Sequence, residues 1–169
     1  MKIQEKKAEV ITFRKNFKGN YRGFDTKKIR NKINTSNEQS HYKSLQYLGF
    51  EFNGQNIYIR PGSLSKYFRK AKGRILKSVK MAYGSNSKAG KILKKKIYDR
   101  YTHFGERNFI TYAQNAAKIS YTNSSGVIRD GLNSPSIRRQ LSAHFTIIER
   151  EIKKKSAHFS SLKNIIKKE

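Results

Sequence analysis

Residues 45 to 79, LQYLGFEFNGQNIYIRPGSLSKYFRKAKGRILKSV, run a strand pattern, a tight turn and a basic amphipathic helix together without a gap. Leu48, Phe50 and Phe52 alternate with Tyr47, Gly49 and Glu51 at the period of a half-buried strand, and Ile57 and Ile59 resume that period beyond Asn53-Gly54. The pattern predicts a hairpin. Asn-Gly suits a primed turn, because both central positions take positive φ, where Gly has no Cβ penalty and Asn is tolerant. Pro61, Gly62 and Ser63 then stop the strand, and Ser63 is the expected N-cap of a helix beginning at Leu64. Leu64, Tyr67, Phe68, Ala71, Ile75 and Val79 recur at helical spacing, while Lys66, Arg69, Lys70, Lys72, Arg74, Lys77 and Lys80 fill most of the remaining surface. Such a helix has an apolar back and a basic front.

On the N-terminal side, the alternation within residues 7–14 predicts a short strand that pairs with the hairpin at 45–60. Residues 15–44 carry Gly19, Gly23, Asn31, Asn34 and Asn37 among lysines and read as a basic, solvated insertion, with room for a short helix over 25–33. On the other side, Gly84-Ser85-Asn86-Ser87 ends the first helix. A second helical stripe runs through Ala89, Leu93, Ile97, Tyr101 and Phe104, with Gly105 as its C-cap, and a third through Phe109, Tyr112, Ala113, Ala116 and Ile119. Residues 122–135 read as a polar linker. Ser134 and Pro135 signpost a fourth helix on Ile137, Leu141, Phe145, Ile148 and Ile152, and residues 156–169 read as a weak, frayed helix. The expected class is α+β: a small antiparallel sheet over 1–62, a helical bundle over 63–121, the linker, and C-terminal basic helices over 136–169.

Composition narrows the partner. Lys and Arg number 38 against 11 Asp and Glu, a formal charge of +27, in a chain of 169 residues. Self-repulsion at that charge calls for a polyanion, and basic residues interleaved with 10 Tyr and 10 Phe supply both phosphate contacts and stacking surfaces. Nucleic acid fits this better than an acidic membrane surface, since the apolar stripes recur over several segments and read as a shared core. Cysteine is absent, which removes disulfides and thiolate metal sites, and MKIQEKKAEV has no apolar stretch behind its charges. An intracellular, cytoplasmic protein without a membrane partner is the expectation.

Catalytic patterns are sparse. The acidic residues are scattered among lysines, and Glu149 and Glu151 are two apart on a helix, so they do not share a face. His41, His103, His144 and His158 show no ligand spacing, and neither Gly62-Ser63 nor Gly105-Glu106-Arg107 has the glycines of a phosphate loop. No catalytic residue, metal ligand or cofactor is expected in this chain. Tyr47 and Tyr58 either stack or pack, and Gly49 marks a bulge or a close backbone approach. Arg138 and Arg139 lie near the expected start of the fourth helix, where an anion, either a phosphate or a neighbouring carboxylate, would relieve them.

The order Tyr47-Leu48-Gly49-Phe50, a hairpin, then Arg60-Pro61-Gly62-Ser63-Leu64 opening a basic helix resembles the palm–thumb junction of bacterial reverse transcriptases of the group II intron and phage-defence kind. KKAEVITF at 6–13 resembles the palm strand with a Lys-x-Glu signature, and FITYAQNAAKI with SIRRQLSAHF resembles the helical thumb and its extension. The resemblance implies that Leu48, Gly49 and Phe50 form a primer grip. It also implies that an RNA or RNA/DNA duplex is held by Lys7, Arg60, Lys66, Arg69, Lys70, Lys72, Arg74, Lys77, Arg138 and Arg139. The Tyr-x-Asp-Asp turn, the earlier metal-binding aspartate and the fingers are absent from the sequence. They would lie before Met1, on an N-terminal fingers and palm polypeptide, and Mg2+ is implied only for that full polymerase. The chain alone is expected to be inactive. The other reading is a stand-alone basic protein that binds structured RNA by charge and shape.

Overall fold

A computed structural model describes residues 9–27, 41–84 and 91–166, with side chains as far as Ser161. The fold is α+β, and the chain divides into two compact units, Met1–Arg60 and Pro61–Glu169.

In the first unit, β1 (Ile11–Lys15) pairs antiparallel with β2 (Tyr21–Asp25), Phe13 opposite Gly23 and Arg14 opposite Arg22. This corrects two expectations: β1 does not join the hairpin at 45–60, and the expected insertion supplies its partner strand. The reason is local. Asn16 Oδ1 accepts from the Asn20 amide at 2.9 Å and Gly19 takes φ 79°, so a short turn closes the pair at far lower loop entropy than a partner thirty residues away. The remainder of that segment, from residue 28 to 40, lies outside the described residues.

Strands β3 (Leu45–Tyr47), β4 (Phe50–Phe52) and β5 (Ile57–Ile59) form an antiparallel meander in that order. The two-residue primed turn falls at Leu48-Gly49, with φ 46° and 88°, and not at Asn53-Gly54. Tyr47 is therefore directly opposite Phe50, and one face carries Leu45, Tyr47, Phe50, Phe52, Ile57 and Ile59, while Gln46, Glu51 and Tyr58 take the other. The Asn53-Gly54 connection is a four-residue loop in which Asn53 Oδ1 accepts from the amides of Gln55 (3.0 Å) and Asn56 (2.9 Å). Gly54 is needed there for close approach, since a Cβ would lie 2.4 Å from the Tyr21 carbonyl oxygen. The rings of Phe13 and Phe52 meet at 5.1 Å between centroids. Among the described residues of this unit, Ile59 is the one large apolar side chain that is fully buried.

The second unit opens with α1 (Pro61–Tyr83), three residues ahead of the expected start, because proline's fixed φ suits the first helical position and its missing N–H costs nothing there. Tyr67, Ala71, Ile75, Val79 and Ala82 form its buried stripe. Ala71, Ile75 and Val79 join Ile97 of α2 (Lys94–Tyr101) and Ile148 and Ile152 of α5 (His144–Ile166) in one core cluster. Helix α3 (Phe109–Ala117) packs beside α4 (Pro135–Leu141), and the two bury Ile110, Ala113, Ala117, Ile137 and Leu141.

Three further expectations change. The segment 122–135 is not a plain linker: β6 (Ser120–Thr122) and β7 (Ile128–Asp130) form a hairpin, closed by Asn123 Oδ1 accepting from Ser125 and Val127 amides and by Gly126 at φ 78°. The fourth helix breaks at Ser142-Ala143 into α4 and α5, and α5 then runs unbroken through Lys153-Lys154-Lys155, whose side chains are good helix formers. Gly105 is not a left-handed cap; it permits a close crossing, where a Cβ would lie 1.6 Å from the Asp99 carbonyl oxygen.

Asn108 holds that crossing together. Its Oδ1 accepts from Ile110 (2.9 Å) and Thr111 (3.0 Å) amides at the start of α3, and its Nδ2 donates to carbonyls of Thr102 (2.8 Å) and Asp99 (3.0 Å) behind α2. Asn108→Ala is expected to cost about 1–3 kcal/mol in urea unfolding, with Asn108→Asp recovering only the capping share. Equal stability of all three proteins would contradict this.

Candidate nucleic-acid interface

Within the first unit, the Leu48-Gly49 turn stands at the tip of the β3–β4 hairpin, with Tyr47 71% and Leu48 69% exposed. The Gly49 carbonyl accepts from the Arg60 amide at 2.9 Å, which anchors the turn to the end of β5. Tyr47 and Tyr58 lie on opposite faces of the sheet, Tyr58 half-buried, so the two rings cannot form one stacking platform. Arg60 is exposed. Lys7 lies outside the described residues.

Within the second unit, the candidate cations separate by face. Lys66, Arg69, Lys70 and Lys77 are exposed, and their spacing puts them opposite the Tyr67–Ala71–Ile75–Val79 stripe. Lys80 continues the same row. Gly73 sits among them in a shallow groove of about 390 Å³ shared with Leu76, Lys77, Lys80 and Met81. A Cβ at Gly73 would meet nothing within 4 Å, so protein packing does not require glycine there. Lys72 and Arg74 flank the buried stripe instead: Lys72 Nζ lies 3.9 Å from Glu151 Oε2 of α5, and Arg74 is half-buried.

Arg138 and Arg139 require a correction. Because α4 ends at Leu141, both occupy its last turn, where the helix dipole favours cations. Arg138 Nη1 donates to the Ala117 carbonyl at the end of α3 at 2.5 Å, one of the five N–H donors of a guanidinium, and the residue is exposed. Arg139 is exposed.

The carboxylates are tied up separately. Glu149 accepts from the Tyr98 hydroxyl and lies 3.7 Å from Lys94 Nζ, while Glu151 faces Lys72. Burial, and then the hydrogen bond to Glu149, push the Tyr98 hydroxyl up to about 12. Among the described residues, no group of three or more His, Asp or Glu side chains is close enough to hold a metal ion. No helix among the described residues is long and apolar enough to cross a membrane.

Two of the four histidines meet, which spacing did not show. His103 Nδ1 lies 3.2 Å from His144 Nε2, and His144 Nδ1 lies 2.5 Å from the Leu141 carbonyl oxygen. With Nδ1–H donated to that carbonyl, a neutral His144 presents Nε2 as the acceptor for His103 Nδ1–H. Burial first, and the neighbouring His103 as a lesser cause, lower the His144 pKa below its ordinary 6.5, against the pull of the Leu141 carbonyl. The folded state thus resists a proton that the unfolded chain accepts. The contribution of His144 to stability is complete above pH 6.5 and is lost as pH falls from there through its lowered folded-state value. Urea unfolding is expected to show a lower midpoint in acid than at neutral pH, with the dependence flattened in His144→Gln. A midpoint independent of pH would refute the assignment.

No family model matches the chain, and no curated protein matches it.

Proposed function

We propose that this chain binds nucleic acid as the palm-end and thumb part of a bacterial reverse transcriptase, holding an RNA/DNA template–primer duplex for RNA-directed DNA synthesis in the cytoplasm. The observation that carries the reading is the Leu48-Gly49 turn. A leucine at φ 46° with 69% of its surface exposed costs conformational free energy and gains little from burial. Strain of this kind at an exposed tip is characteristic of a ligand contact, and the resembled family lays its primer strand against this turn. Leu48, Gly49 and Phe50 take that part here, and the row Lys66, Arg69, Lys70, Lys77 and Lys80 contacts phosphates. Exposed apolar side chains among the described residues of the first unit also support the reading: Val10, Leu45 and Tyr47 are exposed, as a palm fragment's would be where a fingers and palm polypeptide covers it. The catalytic aspartates and Mg2+ belong to that polypeptide.

Leu48→Gly separates grip from fold. Removing the Cβ from a left-handed position is expected to leave stability unchanged or raise it by up to about 1 kcal/mol, while affinity for an RNA/DNA hybrid falls. Fluorescence anisotropy and thermal unfolding check the two halves. The wider test is reconstitution of primer extension with a polypeptide carrying Tyr-x-Asp-Asp. Extension that depends on this chain supports the reading. Tight RNA binding that ignores Leu48, with no effect on extension, would make the chain a stand-alone RNA binder.

A further inference from the structure

The β1–β2 hairpin breaks a rule of sheet pairing. Arg14 and Arg22 are direct cross-strand partners, and like charges in that position repel. No ion pair relieves either guanidinium among the described residues, and Glu9, just before β1, and Asp25, at the end of β2, both hold Lys43, at 3.2 and 3.3 Å. Each guanidinium lies over a ring instead: Arg14 is 5.8 Å from the centre of Phe24, and Arg22 is 4.9 Å from that of Tyr42. Those two rings contact each other at 5.0 Å, because Tyr42 bridges to Phe24 at the open edge of β2. Arginine over an aromatic ring keeps its charge and presents a flat outer surface. A hollow of about 480 Å³ opens over this deck, lined otherwise by Lys15, Asn16, Phe17 and Lys18. Among the described residues, no acidic side chain lines it. Phe17, at the tip of the turn, is fully exposed at 101%.

We infer that this hollow binds an unpaired nucleic-acid strand, a phosphate settling between Arg14 and Arg22 and a base stacking on Phe17 or on the guanidinium deck. The inference rests on the reading of the chain as a nucleic-acid binder, but it assigns a site apart from the Leu48-Gly49 tip and the row on α1. An anion between the arginines removes the repulsion that the register creates. The flat surfaces decide between ligands. A duplex offers phosphates but keeps its bases stacked inside, so Phe17 and the deck would gain nothing from it. A lipid surface would take the lysines and Phe17 and leave the deck without a planar partner.

The test uses the full chain, titrated by fluorescence anisotropy against a labelled oligouridylate of about 12 nucleotides and a blunt RNA/DNA duplex of equal length. Phe17→Ala is expected to weaken single-strand binding by at least about fivefold, and Arg14→Gln with Arg22→Gln by about tenfold or more, with duplex affinity within about twofold of the parent. Phe17 is fully exposed and the arginine pair is repulsive, so thermal unfolding should be unchanged or improved in these variants. Unchanged single-strand affinity, with the parent still binding duplex, overturns this site and leaves the proposed function standing. An equal loss on both ligands reduces it to general charge. Loss of binding to phosphatidylserine vesicles in place of the oligonucleotide assigns the hollow to a membrane surface and overturns it too. A parent protein that binds neither nucleic acid removes both this inference and the function on which it rests.

Discussion

Replacing Lys66, Arg69, Lys70 and Lys77 together by glutamine is expected to weaken binding to an RNA/DNA duplex by about a hundredfold and to flatten the plot of log affinity against log salt by about three units. All four are exposed on one side of α1, away from the buried stripe, so their loss removes phosphate contacts and counterion release without opening the core. The fold should even gain slightly, because the chain sheds four of its positive charges while carrying a net +27. Lys72→Gln is the internal control. Its ammonium faces Glu151, so a single change there should alter the slope by well under one unit. Anisotropy titrations at several salt concentrations measure both quantities. A slope that survives the fourfold replacement would take α1 out of the interface and leave the charge with some other purpose.

The largest effect on stability is expected from Ile75→Ala. Ile75 is fully buried and belongs to the cluster in which α1, α2 and α5 share Val79, Ile97, Ile148 and Ile152. Truncation loses transfer free energy and leaves a cavity that the packed helices close only in part, a cost of about 2–5 kcal/mol. Against a typical total of about 5–15 kcal/mol, this is a large fraction, and the thermal midpoint should fall by about 5–15 °C. Ile75→Val, which removes one methyl group, should cost about 0.5–1.5 kcal/mol. Hydrogen exchange adds a spatial check. Amides of α1 and α5 should lose protection in Ile75→Ala, whereas β1 to β5, among whose unit's described residues Ile59 is the one large apolar side chain that is fully buried, should exchange quickly in the parent and change little. Protection in the strands equal to that in α1 would mean that this unit is held by more than its own core.

The helices were legible where residue type and spacing act within one turn of chain. The period of Tyr67, Ala71, Ile75 and Val79 specified both the existence of α1 and its buried side, and Ser134-Pro135 marked the start of α4. The hairpins were half legible. Leu-Gly and Asn-Gly both offer a residue that accepts positive φ, and only the pairing of Tyr47 with Phe50 shows that the tight turn is the first of them. The candidate site was legible as a list of cations and not as an arrangement. Arg138 turned out to be bonded to Ala117 and Lys72 to face Glu151, partners that lie 21 and 79 residues away and leave no local trace. The Arg14–Arg22 deck and the His103–His144 pair were missed for the same reason.

Charge, the amphipathic character of α1 and the α+β class followed from composition and periodicity, because each depends on local preference summed over many residues. The partner of β1, the break between α4 and α5, and the division of the lysines and arginines into exposed, paired and half-buried groups did not. Those outcomes depend on which distant groups share the same few ångströms after packing. A polar side chain takes its nearest strong partner in space, whatever the distance along the chain.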